Sequence, residues 1–208
     1  MKTEMRTETK TDNKPGKGTR KTLMNVMCIA ANCIVILLEA IGLSISISDR
    51  GLKILAYYTQ ISNIITLLSS IFLLALGSGD FTCGFSYLSS CMLTMTFLIT
   101  LCVLVPMGGG FRKLMLAGNG LSHHTLCPII SVASYIFWED HNSVIAAPVL
   151  ITFVYGITMI NLNYLRKFDG PYPFFRVHNQ SKEATLMWIA ALITIIAMIS
   201  RAIQLIAK

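Results

Sequence analysis

The sequence predicts an all-α integral membrane protein, a bundle of six transmembrane helices. Three observations predict it. Hydrophobic residues make up 54% of the chain and charged residues only 13%, whereas a soluble domain carries about 25% charged residues. Mean hydropathy is +0.64. Six apolar runs, at about 22–47, 52–77, 84–106, 119–138, 143–164 and 184–206, each reach the roughly 20 residues that a helix needs to cross the hydrocarbon core.

Residues 1–21 differ in kind. Seven Lys or Arg stand among three acids, Glu4, Glu8 and Asp12, with Thr, Gly and Pro between them. Such a segment cannot bury a core and is expected to be a disordered basic tail. The apolar stretch that follows is too long for a signal peptide and has no small-x-small cleavage pattern, so it reads as a retained first helix. Helices then occupy nearly all of residues 22–208. The net charge of +7 fits topology and anionic lipid, and nucleic acid is not an expected partner.

With short connections, consecutive helices run antiparallel. The face carrying loops 1–2, 3–4 and 5–6 holds eight of the 17 basic residues, and the face carrying the tail holds nine. Arg20 and Lys21 abut the first helix, which favours a cytoplasmic N-terminus. The expected location is the cell membrane. The six cysteines form no C-x-x-C pair and read as buried free thiols.

Polar residues repeat in phase. Helix 1 carries Asn25, Asn32, Glu39 and Ser46 at intervals of seven. Helix 2 carries Thr59, Ser62, Asn63, Thr66 and Ser70 on one stripe, and helix 4 carries His124, Pro128, Ser131 and Tyr135. Stripes of this kind face the bundle interior, and they can do so simply to join helices by hydrogen bonds. Ionisable groups at membrane depth, here Glu39, His123 and His124, mark a functional site by default.

The half of the membrane nearest loops 1–2, 3–4 and 5–6 gathers this polar content. If helix 2 enters near Gly51, Thr59 lies seven or eight residues in, roughly 10–12 Å, at a depth shared with His124 and Glu39. Pro128 and Pro148 are expected to kink helices 4 and 5. The loop Leu165–Asn179 is aromatic, Pro-stiffened and basic. It reads either as an interfacial belt or as a lid in which Tyr172, Phe174 and Phe175 touch acyl chains.

A threonine and a histidine at one depth permit nucleophilic catalysis. Thr59 would attack an ester carbonyl while His124 accepts its proton. Asn63 or Gln60 would donate to the oxyanion, and Glu39 would orient the imidazole. His123, about 100° away on the helix, reads as a supporting or interfacial group. No H-E-x-x-H or G-x-S-x-G is present, and no metal or organic cofactor is implied. Glu39 with a histidine also leaves open a proton-coupled transporter, or a lipid- or solute-binding membrane protein without catalysis.

Three short motifs, Tyr58-Thr59-Gln60-Ile61-Ser62-Asn63, His124 with Pro128 four residues later, and Tyr172-Pro173-Phe174, resemble the bacterial relatives of the androgen-induced and androgen-dependent six-helix membrane proteins. The resemblance runs from helix 1 to helix 6. It implies hydrolysis of fatty acid esters of hydroxy fatty acids by an intramembrane threonine and histidine, roles that fall on Thr59 and His124. The partners it implies are membrane lipids and a lipid ester substrate. The chain departs from many bacterial relatives in having Ser134-Tyr135 where they carry Asp-Trp.

Overall fold

A computed structural model describes residues 17–207, and every regular element among them is helical. Helix α1, Lys17–Arg50, spans 34 residues, about 51 Å at 1.5 Å per residue. It begins before the expected boundary at residue 22; the rest of the expected tail, residues 1–16, lies outside the described residues.

The chain leaves α1 at Gly51, which takes φ +57°, a conformation open to glycine without a Cβ penalty. A 3-10 turn, Gly51–Ala56, and an extended Tyr57 follow. Helix α2 therefore starts at Tyr58 and runs to Leu76. This corrects the expected start near residue 52. Leu52, Ile54, Leu55 and Ala56 extend the apolar run without belonging to the helix, and Thr59 falls in the first turn of α2 rather than deep within it.

Helix α3, Asp80–Ile99, continues as a wider π-wound segment, Thr100–Gly109, which contains Pro106. Gly108 (φ +98°) and Gly110 (φ +73°) turn the chain there. The fourth run is one continuous helical stretch whose winding changes: a short α-turn Asn119–Leu121, a π-wound turn Ser122–Leu126, and helix α4, Cys127–Trp138. Pro128 thus sits at the start of regular α4, with the irregular winding on its N-terminal side, around the two histidines. Helix α5 spans Ala146–Tyr164 and helix α6 Lys182–Ile206. Pro148 lies in the first turn of α5, where its missing N–H costs no helix bond, so the expected kink there does not form.

Five helical stretches are long and apolar enough to cross a membrane: Asn25–Ala56, Tyr58–Leu76, Asp80–Gly109, Ala146–Tyr164 and Lys182–Ile206. The fourth run is helical from residue 119 to residue 138 but is not among these five, so five of the six expected spans meet the length and hydropathy of a membrane crossing.

Helix α3 is central and packs against α2, α4, α5 and α6, while α1 packs against α2 and α4. Tyr87, Cys91, Met92 and Leu93 of α3 are fully buried. The outer helices expose Ile29, Leu37 and Ile41 on α1, Val154 on α5 and Met198 on α6, as expected of lipid-facing surfaces. The polar stripes point inward: Asn32, Glu39 and Ser46 on α1 and all five stripe residues on α2 are buried. All six cysteines are free, but Cys33 and Cys102 are exposed rather than buried.

Candidate functional site

The first turn of α2 has no side-chain cap of its own. Its N–H groups are satisfied from elsewhere, as helix termini require. The Tyr58 N–H donates to the Tyr155 hydroxyl at 3.1 Å, and that hydroxyl donates to Ala56 O at 2.8 Å. The Thr59 N–H donates to the Tyr172 hydroxyl at 3.3 Å. One capping tyrosine comes from α5 and the other from the loop between α5 and α6.

Thr59 borders a cleft of about 560 Å³, counted with its open mouth. Helices α2, α3, α5 and α6 supply its walls through residues such as Met95, Ile99, Gly156 and Leu192, and Tyr172, Phe174 and Phe175 roof it. Tyr172 stacks on Phe174 with ring centroids 5.2 Å apart, and Phe174 continues to Trp188 at 5.3 Å. All three roof residues are buried. Burial pushes the Tyr172 phenol up to about 12, with its contacts to Thr59 opposing the rise. It is therefore a neutral hydroxyl whose oxygen accepts from Thr59, leaving its own proton free to donate.

The two histidines divide. His123 is 1% exposed. Its Nε2 lies 3.4 Å from Glu39 Oε2, and its Nδ1 lies 3.3 Å from Gln60 Nε2. The Gln60 amide nitrogen is a donor, so Nδ1 accepts and Nε2 carries the proton, without a hydrogen bond to Glu39. Gly42 of α1 lies directly under this ring. Two expectations are corrected here: Glu39 meets His123, not His124, and His123 is a central group rather than a peripheral one.

His124 is half-buried, and its Nδ1 lies 3.4 Å from the Thr100 hydroxyl. No hydrogen bond among the described residues joins it to Thr59. The two are linked indirectly. Ser62 Oγ donates to Thr59 O at 2.8 Å and meets Thr96 Oγ1 at 2.9 Å; Thr100 lies one turn beyond Thr96 on the α3 segment. The expected oxyanion donors are also displaced. Gln60 is engaged with His123, Asn63 is fully buried, and neither lines the cleft.

A second buried carboxylate, Glu139, did not stand out in the sequence. It accepts from Ser86, from Ser134 at 2.6 Å and from Asn32 at 3.4 Å. Glu139 follows the last residue of α4, on the side of loop 4–5. Its partner Ser134 lies five residues earlier, and Asn32 lies on the polar stripe of α1. Among the described residues no group of three or more His, Cys, Asp or Glu is placed to hold a metal ion.

Fold and site together define a helical integral membrane protein with an aromatic-roofed apolar cleft and a separate buried polar cluster. No protein-family model matches the chain, and no curated protein or solved structure matches it. The family resemblance therefore rests on the three short motifs.

Proposed function

We propose that this protein is an intramembrane hydrolase of lipid esters, such as fatty acid esters of hydroxy fatty acids, with Thr59 as nucleophile and His124 as base. The observation that carries the reading is the Thr59 hydroxyl at the edge of an apolar cleft, beneath a neutral Tyr172 hydroxyl. An acyl chain fits the cleft by its chemistry, and the ester carbonyl then comes to Thr59. Thr59 Oγ attacks the carbonyl carbon as His124 takes the hydroxyl proton. Tyr172 supplies a proton donor for the oxyanion. Collapse expels the alkoxide, which takes the proton from His124 and leaves an acyl-threonine ester. Water attacks that ester with His124 again as base, releasing the acid and restoring Thr59.

His124 must approach Thr59 for this to occur, and we assign that approach to the π-wound turn Ser122–Leu126 that carries it, a winding often found at functional sites. We place the N-terminus in the cytoplasm and the protein in the plasma membrane of a bacterium. The separation of Thr59 from His124 favours one other reading, a lipid-binding membrane protein without turnover.

Purified protein is tested on branched fatty-acid esters and on short nitrophenyl esters, beside Thr59→Ala and His124→Ala. The hydrolase reading expects no turnover from Thr59→Ala and a loss of about 100-fold or more from His124→Ala. Equal rates in all three sink it. Saturable acyl binding without hydrolysis establishes the other reading.

A further inference from the structure

We propose that Glu39, Gln60, Asn63 and His123 form a buried site for a small monovalent cation, sodium by its donor chemistry. The proposal stands independently of the hydrolase reading, because none of the four residues lines the cleft. All four are more than nine-tenths buried. Glu39 Oε1 and Oε2, Gln60 Oε1, Asn63 Oδ1 and Nδ2, and His123 Nε2 are enclosed without a hydrogen-bond partner among the described residues. Native proteins seldom leave buried polar atoms so, and a cluster of them calls for water or an ion.

The imbalance has a direction. Four of these six atoms are oxygens that only accept. The other two, His123 Nε2 and Asn63 Nδ2, are nitrogens, and although His123 Nε2 lies 3.4 Å from Glu39 Oε2 no hydrogen bond joins them. Glu39 Oε1 and Oε2, Gln60 Oε1 and Asn63 Oδ1 thus lack a donor among the described residues. Gln60 and Asn63 are three apart on α2 and so share a face. The Cys127 thiol of α4 is a further neighbour of the Glu39 carboxyl, but a thiol is a weak donor. Water alone would leave the carboxylate charge buried. A proton on Glu39 would cancel the charge yet supply only one donor. A monovalent cation cancels one negative charge and gathers several oxygens at once, while a divalent ion would leave an uncompensated positive charge in a dry interior. Carboxylate and amide oxygens suit hard cations. Gly42 holds the imidazole against α1, which fixes one wall of the site.

The test is thermal unfolding of the full chain in detergent, in sodium, potassium or choline chloride at equal ionic strength, with retention of radioactive sodium measured in parallel. The wild type is expected to gain a Tm increase that saturates with sodium and is absent in choline. Glu39→Gln keeps the side-chain volume and removes the charge. It is expected to fold in choline, to lose the sodium response and to retain no sodium. Asn63→Ala is expected to need more sodium for the same shift. Glu139→Gln, at the satisfied carboxylate, is expected to respond as wild type does. Equal Tm in sodium and choline overturns the proposal, as does a sodium response that survives Glu39→Gln. A Tm that follows pH but ignores sodium assigns the neutralising charge to a proton and overturns it as well.

Discussion

Gly42 shows how much depends on one missing methyl group. A Cβ at this position would overlap the His123 imidazole, so glycine is required here by close approach rather than by an unusual backbone angle. Gly42→Ala must push the ring off Glu39 and Gln60 or move α1. Overpacking of this kind costs about 1–3 kcal/mol, and the displaced imidazole also loses its polar contacts. We expect a lower Tm for Gly42→Ala. Removing the imidazole removes the overlap, so Gly42→Ala should cost far less in a His123→Ala background than in wild type. Thermal unfolding of the two single variants and the double variant measures the coupling. Additive losses would show that Gly42 and His123 do not press on each other. Neither residue's role is legible from the sequence. Gly42 is an ordinary small residue in a long apolar run, and His123 is the histidine that a regular helix puts out of phase with the helix-4 stripe.

At the scale of elements, the start of α2 is held by side chains distant in sequence. Tyr155 receives the Tyr58 N–H and donates to Ala56 O, so its hydroxyl ties the turn before α2 to the helix itself. Tyr155→Phe removes both bonds and leaves the buried Tyr58 N–H and the half-buried Ala56 carbonyl without these partners, a cost of about 1–3 kcal/mol. Tyr172→Phe removes one bond and should cost about half as much. Chemical denaturation of both variants checks the order, and a greater loss from Tyr172→Phe would contradict it. The sequence makes the polar stripes of α1, α2 and α4 visible because their periods are regular. It does not show where α2 begins, because apolar residues continue through the 3-10 turn and only Gly51 and the extended Tyr57 break the helix. It also hides the partnership of the histidines. A constant 100° per residue puts His124 on the stripe, but Ser122–Leu126 is π-wound, and the phase inferred from a regular helix does not hold there.

Across the whole molecule, α3 divides two environments. On one side α1, α2 and α4 enclose the polar cluster around Glu39 and His123. On the other, α5, α6 and the aromatic loop enclose the cleft. Thr59 and Gln60, adjacent in the first turn of α2, look into different compartments, Thr59 toward the cleft and Gln60 toward His123. Phe153 and Ile157 line the cleft yet are 44% and 36% exposed, which puts them at its mouth on the outer surface of α5. In a bilayer that surface faces lipid, so the acyl substrate we propose would enter sideways without crossing the water interface. Gly156 stands between these two residues, and a Cβ there would meet Phe175 only at 3.8 Å, an ordinary contact. A larger side chain can therefore be accommodated at its root while its end fills the cleft. Gly156→Leu is expected to raise KM for long-chain esters and lower their kcat/KM by about tenfold, the effect of losing roughly 1.4 kcal/mol of binding. Short nitrophenyl esters, which need only the end of the cleft at Thr59, should keep most of their rate, and Tm should change little. If both substrate classes lose activity equally, or neither does, the acyl chain does not lie in this cleft.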